Sequence, residues 1–338
     1  MEKLLDEIES YWSTRTEGYS EVNHKELAGT QKNAWLKVLT SQFPDKPKEE
    51  IRILDIGTGP GFFPVILAEA GYHVDAVDYT EGMLEKAKEN AGDLCRNIRF
   101  LRMDAQKLDF EDNTFDVVIS RNLTWNLEHP DVAYREWVRV LKVGGRLLNF
   151  DANWYGYLYE EEQRKAYEND RKNVENNSLD DHYLCTDIER MERIALQVPL
   201  SKISRPQWDV KTLREAGLLG IRTDTEIWKT VWSEEERLNY QSTPMFMVTG
   251  VKPDHFLNLP VAAGEKTEGF LELGDGEFVL PATIIRGKDP GKNRSRHSRS
   301  SCRRVCGDPD SDRAVEAAEA GKGKGPAGSG KGAEPGRF

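Results

Sequence analysis

The sequence is short of cysteine, with only Cys95, Cys185, Cys302 and Cys306 in 338 residues. That is too few for a disulfide framework in a chain of this length. Cys302 and Cys306 have three residues between them, but no second pair follows. A structural zinc site needs four ligands, so no metal is expected. Long apolar runs are missing as well. No stretch reaches the roughly 18 residues that a membrane span needs, and the mean hydropathy is −0.66. Met1-Glu-Lys-Leu-Leu-Asp-Glu lacks the basic-then-apolar order of a secretory signal. The expectation from these absences is a cytoplasmic protein with no membrane partner.

Positive charge is scarce over most of the chain. Residues 1–285 hold 34 basic against 51 acidic side chains, whereas residues 286–338 hold 13 against 7. Contact with nucleic acid is driven by Lys and Arg on phosphate, so the acidic body argues for a small-molecule partner and no nucleic acid. The basic tail is a separate matter.

What is present is alternation. Residues 3–12 and 24–40 read as helices, the second with Leu27, Trp35, Leu36 and Leu39 on one face. Short apolar runs at 51–56, 72–77, 98–103, 115–120 and 146–150 read as buried strands. Helical stretches at 62–70, 81–90 and 130–141 separate most of them. Such alternation means an α/β fold, a parallel sheet with helices on both faces. From Trp154 to Trp208 it stops, in a polar, tyrosine-rich insertion of helical character. A helix at 210–216 and strands at 221–231 and 245–251 complete the pattern.

The strongest motif is Ile53-Leu-Asp55-Ile-Gly57-Thr58-Gly59-Pro60-Gly61, a strand running into a glycine turn and then a helix. Glycines allow positive φ and close approach of a ligand to the backbone. The helix start that follows offers free N–H groups. The spacing is G-x-G-x-G, and Phe62 stands where the dinucleotide fingerprint G-x-G-x-x-G has its last glycine. Asp78 ends the next strand, 21 residues after Gly57. A carboxylate at that distance suits a ribose diol, since it can accept from both hydroxyls. Met103-Asp104-Ala105, Phe115-Asp116-Val-Val and Arg139-Val-Leu-Lys-Val-Gly144-Gly145 follow in order.

Together these segments resemble those of class I S-adenosylmethionine-dependent methyltransferases of the type 11 kind, strongly over residues 50–150 and loosely over 10–252. Val143 and Asp109 depart from the family pattern, both at loop positions where it usually has proline. The resemblance implies a Rossmann-like, seven-stranded, mostly parallel sheet with its last strand antiparallel, and S-adenosylmethionine as cofactor. The implied domain plan is a helical cap at 1–50, a methyltransferase domain at 51–252 with a lid insertion at about 152–208, a linker and short β stub at 253–292, and a basic tail at 293–338.

It also implies residue roles. Gly57, Thr58, Gly59 and Gly61 cradle the methionine moiety, and Asp55 holds its amino group through water. Asp78 takes the ribose hydroxyls, Tyr79 and Met83 flank the adenine, and Asp104 and the Ala105 N–H meet its edge. Arg121 and Asn122 border the sulfonium. Substrate contacts fall on Tyr11, Arg15 and Tyr19 in the N-terminal helix, on Trp125 and Asn126, and on Trp154 and Tyr155. No catalytic base is assigned; Arg121, Asn122, Trp125 and Tyr19 are positioning candidates, and Trp125 either walls the pocket or packs beneath the lid. His129 and His182 read as surface histidines. The implied reaction is methyl transfer to a small molecule. The alternatives are an NAD-dependent oxidoreductase, which the glycine spacing opposes, and a non-catalytic S-adenosylmethionine-binding module.

Residues 265–292 resemble the first strands of the succinylglutamate desuccinylase/aspartoacylase family, with a Gly-Asp-Gly hairpin turn. That family continues into a zinc-binding His-x-x-Glu, but here Ser300 stands three places after His297. The expectation is a stub without zinc, a frame-slipped remnant or a basic linker, that does not pack as a domain beyond about residue 290.

Overall fold

The computed structural model describes residues 4–183 and 186–254. The desuccinylase-like stub and the basic tail lie outside the described residues, as do Cys185, Cys302 and Cys306.

The chain opens with α1 (Leu4–Ala28) and α2 (Gln31–Ser41), then alternates: β1 (Arg52–Ile56), α3 (Phe62–Glu69), β2 (His73–Asp78), α4 (Glu81–Ala91), β3 (Ile98–Arg102), β4 (Phe115–Arg121), α5 (Pro130–Val140) and β5 (Leu141–Asp151). The insertion carries α6 (Glu161–Asn176) and α7 (Ile188–Ala195). After it come α8 (Gln207–Glu215), β6 (Leu219–Asp224), α9 (Trp228–Val231), α10 (Glu234–Asn239) and β7 (Phe246–Val251).

Two expectations need correction. The helices expected at 3–12 and 24–40 are a single 25-residue α1 followed by a short α2. The segment between them keeps helical spacing, but its inward stripe, which runs on to Glu26, is polar: Thr16, Ser20, Asn23 and Glu26 are all buried. A search for apolar periodicity passes over such a stripe. The strand expected at 221–231 ends at Asp224, whose carboxylate accepts from the Glu226 N–H at 2.8 Å and turns the chain into α9.

The seven strands run in the order β3-β2-β1-β4-β5-β7-β6. The pairs β1–β2, β2–β3, β1–β4 and β4–β5 are parallel. Strand β7 runs antiparallel to both β5 and β6. Chain direction along the sheet edge reverses between β1 and β4, and in open α/β sheets the crevice at that point receives ligands. One face buries Tyr134, Trp137 and Leu213 from α5 and α8. The other buries Trp35, Phe62 and Phe63 from α2 and α3 against Phe150.

A third cluster lies under the insertion and joins Tyr11, Trp125, Tyr155, Tyr157, Tyr183 and Met191. His182, expected at the surface, is half-buried, its ring nitrogens 3.0 Å from Tyr240 Oη and 2.9 Å from Glu235 Oε1. A fully buried ion triad ties the insertion's end to the sheet. Arg205 donates to Asp151 Oδ2 at 2.6 Å and to both oxygens of Asp209 at 2.6 and 2.9 Å. Among the described residues no helix is long and apolar enough to cross a membrane.

Candidate active site

Strand β1 leads into the turn Gly57–Gly61. The N–H groups of Gly57 and Thr58 both donate to Val77 O, at 2.8 and 3.0 Å, which pins the turn to the end of β2. Gly57 has φ of 69°, and a Cβ there would come within 2.7 Å of a Leu123 methyl. Gly61 has φ of 91°, and a Cβ there would press on Ala87 of α4 at 3.0 Å. These positions need glycine for both backbone and space.

The turn is closed from β2 by Asp78. One of its oxygens accepts from the Gly59 N–H and the other from the Thr80 N–H, each at 2.9 Å. Burial raises the Asp78 pKa above the usual carboxylate value, against the pull of those N–H groups. Behind the turn, Asp55 is 2% exposed. Burial pushes its carboxyl up to about 7, with a hydrogen bond from the Thr58 side chain and the Arg121 charge opposing.

At the end of β4, Asn122 takes φ of 57°, a left-handed backbone uncommon outside glycine, and its N–H donates to Phe150 O at 2.8 Å. Arg121 beside it is held by Glu26 of α1 through two contacts, 2.7 and 3.0 Å. Its guanidinium lies 4.7 Å from the centre of the Phe62 ring. Burial works against that charge, Glu26 outweighs it, and the arginine pKa is held above its ordinary value.

A cavity of about 110 Å³ opens along this edge. Gly57, Gly59, Asp78, Tyr79, Met83, Asp104, Ala105, Arg121, Asn122, Asn126 and Tyr19 line it. Asp104 accepts from the Gln106 N–H at 2.8 Å, and Ala105 O accepts from the Trp137 indole at 2.9 Å. Helix α1 supplies one wall with Leu5, Ile8, Glu9, Trp12 and Tyr19. These positions recur at helical spacing on one face.

The other site residues named from sequence lie off the lining. Asp55, Thr58 and Gly61 sit in or behind the turn. Tyr11 is one residue, about 100° of helix, away from Trp12, and it packs with Trp125 and Tyr155 in the cluster under the insertion. The Trp125 indole donates to Asn122 O at 3.0 Å, and its ring centre is 5.0 Å from that of Tyr155. Of its two expected roles, Trp125 therefore takes packing beneath the lid. The Trp154 indole donates to Asp151 at 3.1 Å. Arg15 lies beside Gly18, away from the cavity. Sequence reasoning missed Thr80, Gln106, Leu127 and Glu128 on the lining. Trp12 shares the lining with Tyr19, seven residues and two helical turns further along the same face.

Two buried polar atoms around this edge have no hydrogen-bond partner among the described residues: Asn122 Oδ1 and Asn126 Nδ2. Buried polar atoms are ordinarily paired, so each of these calls for a partner such as a ligand or ordered water could supply.

Comparison with known proteins agrees with this geometry. The sequence model of a family described as a methyltransferase domain matches residues 54–149. A demethylmenaquinone methyltransferase of Clavibacter sepedonicus is 41% identical over 98 residues, covering 29% of this chain and 39% of that protein. One of Paenarthrobacter aurescens is 34% identical over 149 residues, covering 44% and 56%. The matches thus span less than two thirds of the length of these curated relatives. In fold, the chain is similar to Haemonchus contortus phosphoethanolamine N-methyltransferase 2, with a TM-score of 0.50 at 18% identity, covering 75% of this chain and 61% of that one. The family match over β1 to β5, together with a seven-stranded sheet whose β7 alone is reversed, identifies this chain as carrying a methyltransferase domain of the class I, Rossmann-like kind.

Proposed function

We propose that this chain transfers a methyl group from S-adenosylmethionine to a small-molecule acceptor by in-line displacement. The observation that carries the reading is Asp78. Its carboxylate stands at the cavity edge, fixed by the Gly59 and Thr80 N–H groups, where it can accept from a ribose diol.

The residues present suit that cofactor. Met83, Val77, Met103 and Leu127 give an apolar slot for a purine, with Asp104 and Ala105 at its edge. Gly57 and Gly59 leave room at the turn, and Asp55 behind it can balance an ammonium group. When bound, the cofactor supplies an electrophilic methyl carbon on a leaving group that departs as a neutral thioether. The protein's own task is then positioning and exclusion of water, where proximity supplies roughly 7–11 kcal/mol. Tyr19 and Trp12 on α1 and Asn122 and Asn126 after β4 hold the acceptor side of the cavity. Arg121, occupied by Glu26, acts there as a fixed positive charge and a support for α1.

The relatives named above are called demethylmenaquinone methyltransferases. From them we carry over only the size class of the acceptor, a small organic molecule. The matched family region, 54–149, stops before the insertion after β5 that would shape an acceptor site. The acidic body fits the same choice. The test is transfer of label from methyl-tritiated S-adenosylmethionine. Label should enter low-mass material from metabolite pools, and should still do so after deletion of residues 286–338. Transfer to tRNA or DNA oligonucleotides, with none to small molecules, would overturn the reading.

A further inference from the structure

Asn126 is 3% exposed, lines the cavity, and has one end of its amide satisfied and one end bare. Trp12 Nε1 donates to Asn126 Oδ1 at 2.7 Å. An indole N–H is a donor only, so this contact fixes which end of the amide is oxygen and leaves Nδ2 as the other end. Nδ2 has no partner among the described residues. The backbone that carries it is held firmly. The Asn126 N–H donates to Leu123 O at 3.0 Å, the Trp125 N–H to Asp151 at 2.9 Å, and the Thr124 hydroxyl to Asn149 at 3.1 Å. A rigidly mounted donor left bare beside a cavity is the arrangement a site uses to recognise a ligand oxygen.

The surroundings narrow the ligand. Trp12 and Tyr19 meet edge to face, with ring centres 5.7 Å apart. Among the described residues Arg121 is the one Lys or Arg on the lining, and Glu26 holds both of its terminal nitrogens. Among the described residues no unpaired cation is left on the lining for a phosphate or carboxylate. We infer that Asn126 is a specificity-determining residue, oriented by Trp12, whose Nδ2 donates to a carbonyl or hydroxyl oxygen of an uncharged, ring-bearing acceptor. The inference rests on the proposed cofactor reading and adds to it the acceptor's chemistry.

The experiment is calorimetric titration of the full chain, saturated with S-adenosylhomocysteine, with three bicyclic probes: chromone, naphthalene and 1-naphthoate. Chromone should bind at least about tenfold more tightly than either of the others, since a buried donor built to meet an oxygen discriminates against ligands lacking it. Asn126→Asp keeps the acceptor for Trp12 and removes the donor; Asn126→Leu removes both. Each should bring chromone to within about threefold of naphthalene when titrated at saturating S-adenosylhomocysteine. Trp12→Phe, which frees the amide to rotate, should lower the preference in part. Equal binding of chromone and naphthalene by the parent, no binding of either, tighter binding of naphthoate, or a preference that survives Asn126→Asp would overturn the inference. Failure of S-adenosylhomocysteine itself to bind would instead overturn the cofactor reading on which it stands.

Discussion

Glu26 and Arg121 form a two-point ion pair, at 2.7 and 3.0 Å, that fastens α1 to the end of β4. Their side chains are only 8% and 14% exposed. Removing one partner of such a pair leaves the other charge buried and unmatched, which costs about 3–5 kcal/mol. Glu26→Gln should therefore unfold at clearly lower denaturant than the parent. The double variant Glu26→Met/Arg121→Met should recover most of the loss. Chemical denaturation checks both, and a double variant no more stable than Glu26→Gln would show that the pair's charges are not what matters.

Asp78→Ala removes a carboxylate that fixes the glycine turn and, in the proposed role, meets the ribose. Hydrogen bonds to a charged group are worth roughly 1.5–3 kcal/mol each, so S-adenosylhomocysteine affinity should fall by about ten- to a hundredfold or more. Gly59→Val should fail further, because Gly59 sits at φ of 53° with Tyr19 carbons 3.5 Å from any added Cβ. Unchanged affinity by calorimetry in either variant would take that residue out of the site.

Asp55 gives a pH dependence whose sign can be worked out. Its carboxyl titrates at about 7 in the fold but near 4 when unfolded. Between those values the folded state holds a proton that the unfolded chain has released. The group's contribution to stability therefore falls as pH rises from about 4 to about 7. Relative to Asp55→Asn, the parent should lose on the order of a few kcal/mol between about pH 5 and about pH 7.5. Binding of an ammonium-bearing cofactor favours the ionised form, so S-adenosylhomocysteine affinity should rise over the same window and level off above it. Parallel stability curves for parent and Asn variant would mean that Asp55 is already ionised in the fold.

The sheet and the glycine turn were legible in the sequence because their signals are local. Apolar runs mark β1 to β5, and Gly57, Gly59 and Asp78 follow from spacing alone. The α1 wall was legible only in part. Thr16, Ser20, Asn23 and Glu26 are buried, yet in sequence they look like any exposed polar stripe. Trp12–Asn126 and Glu26–Arg121 join residues 114 and 95 positions apart, and no local pattern encodes such a pairing. Trp125 was ambiguous for a similar reason: whether an indole walls a pocket or packs depends on Tyr155, which comes from another segment.

Arg205 joins the insertion to the sheet through Asp151 and Asp209, with both ends of each pair fully buried. Arg205→Met should destabilise the fold by about 3–5 kcal/mol, because two carboxylates then lose their cation. The triple variant with Asp151→Asn and Asp209→Asn should be more stable than Arg205→Met alone. Thermal unfolding distinguishes the two. A fully additive loss in the triple variant would argue against charge burial as the cause.

The central claim is that the cavity between α1 and the Gly57–Gly61 turn binds S-adenosylmethionine and not a nicotinamide dinucleotide. Its most direct test is calorimetry on the purified full chain with S-adenosylhomocysteine and, separately, with NADH. The account predicts saturable one-to-one binding of S-adenosylhomocysteine, lost in Gly59→Val, and no saturable binding of NADH. Binding of NADH without S-adenosylhomocysteine, or S-adenosylhomocysteine binding untouched by Gly59→Val, would contradict it.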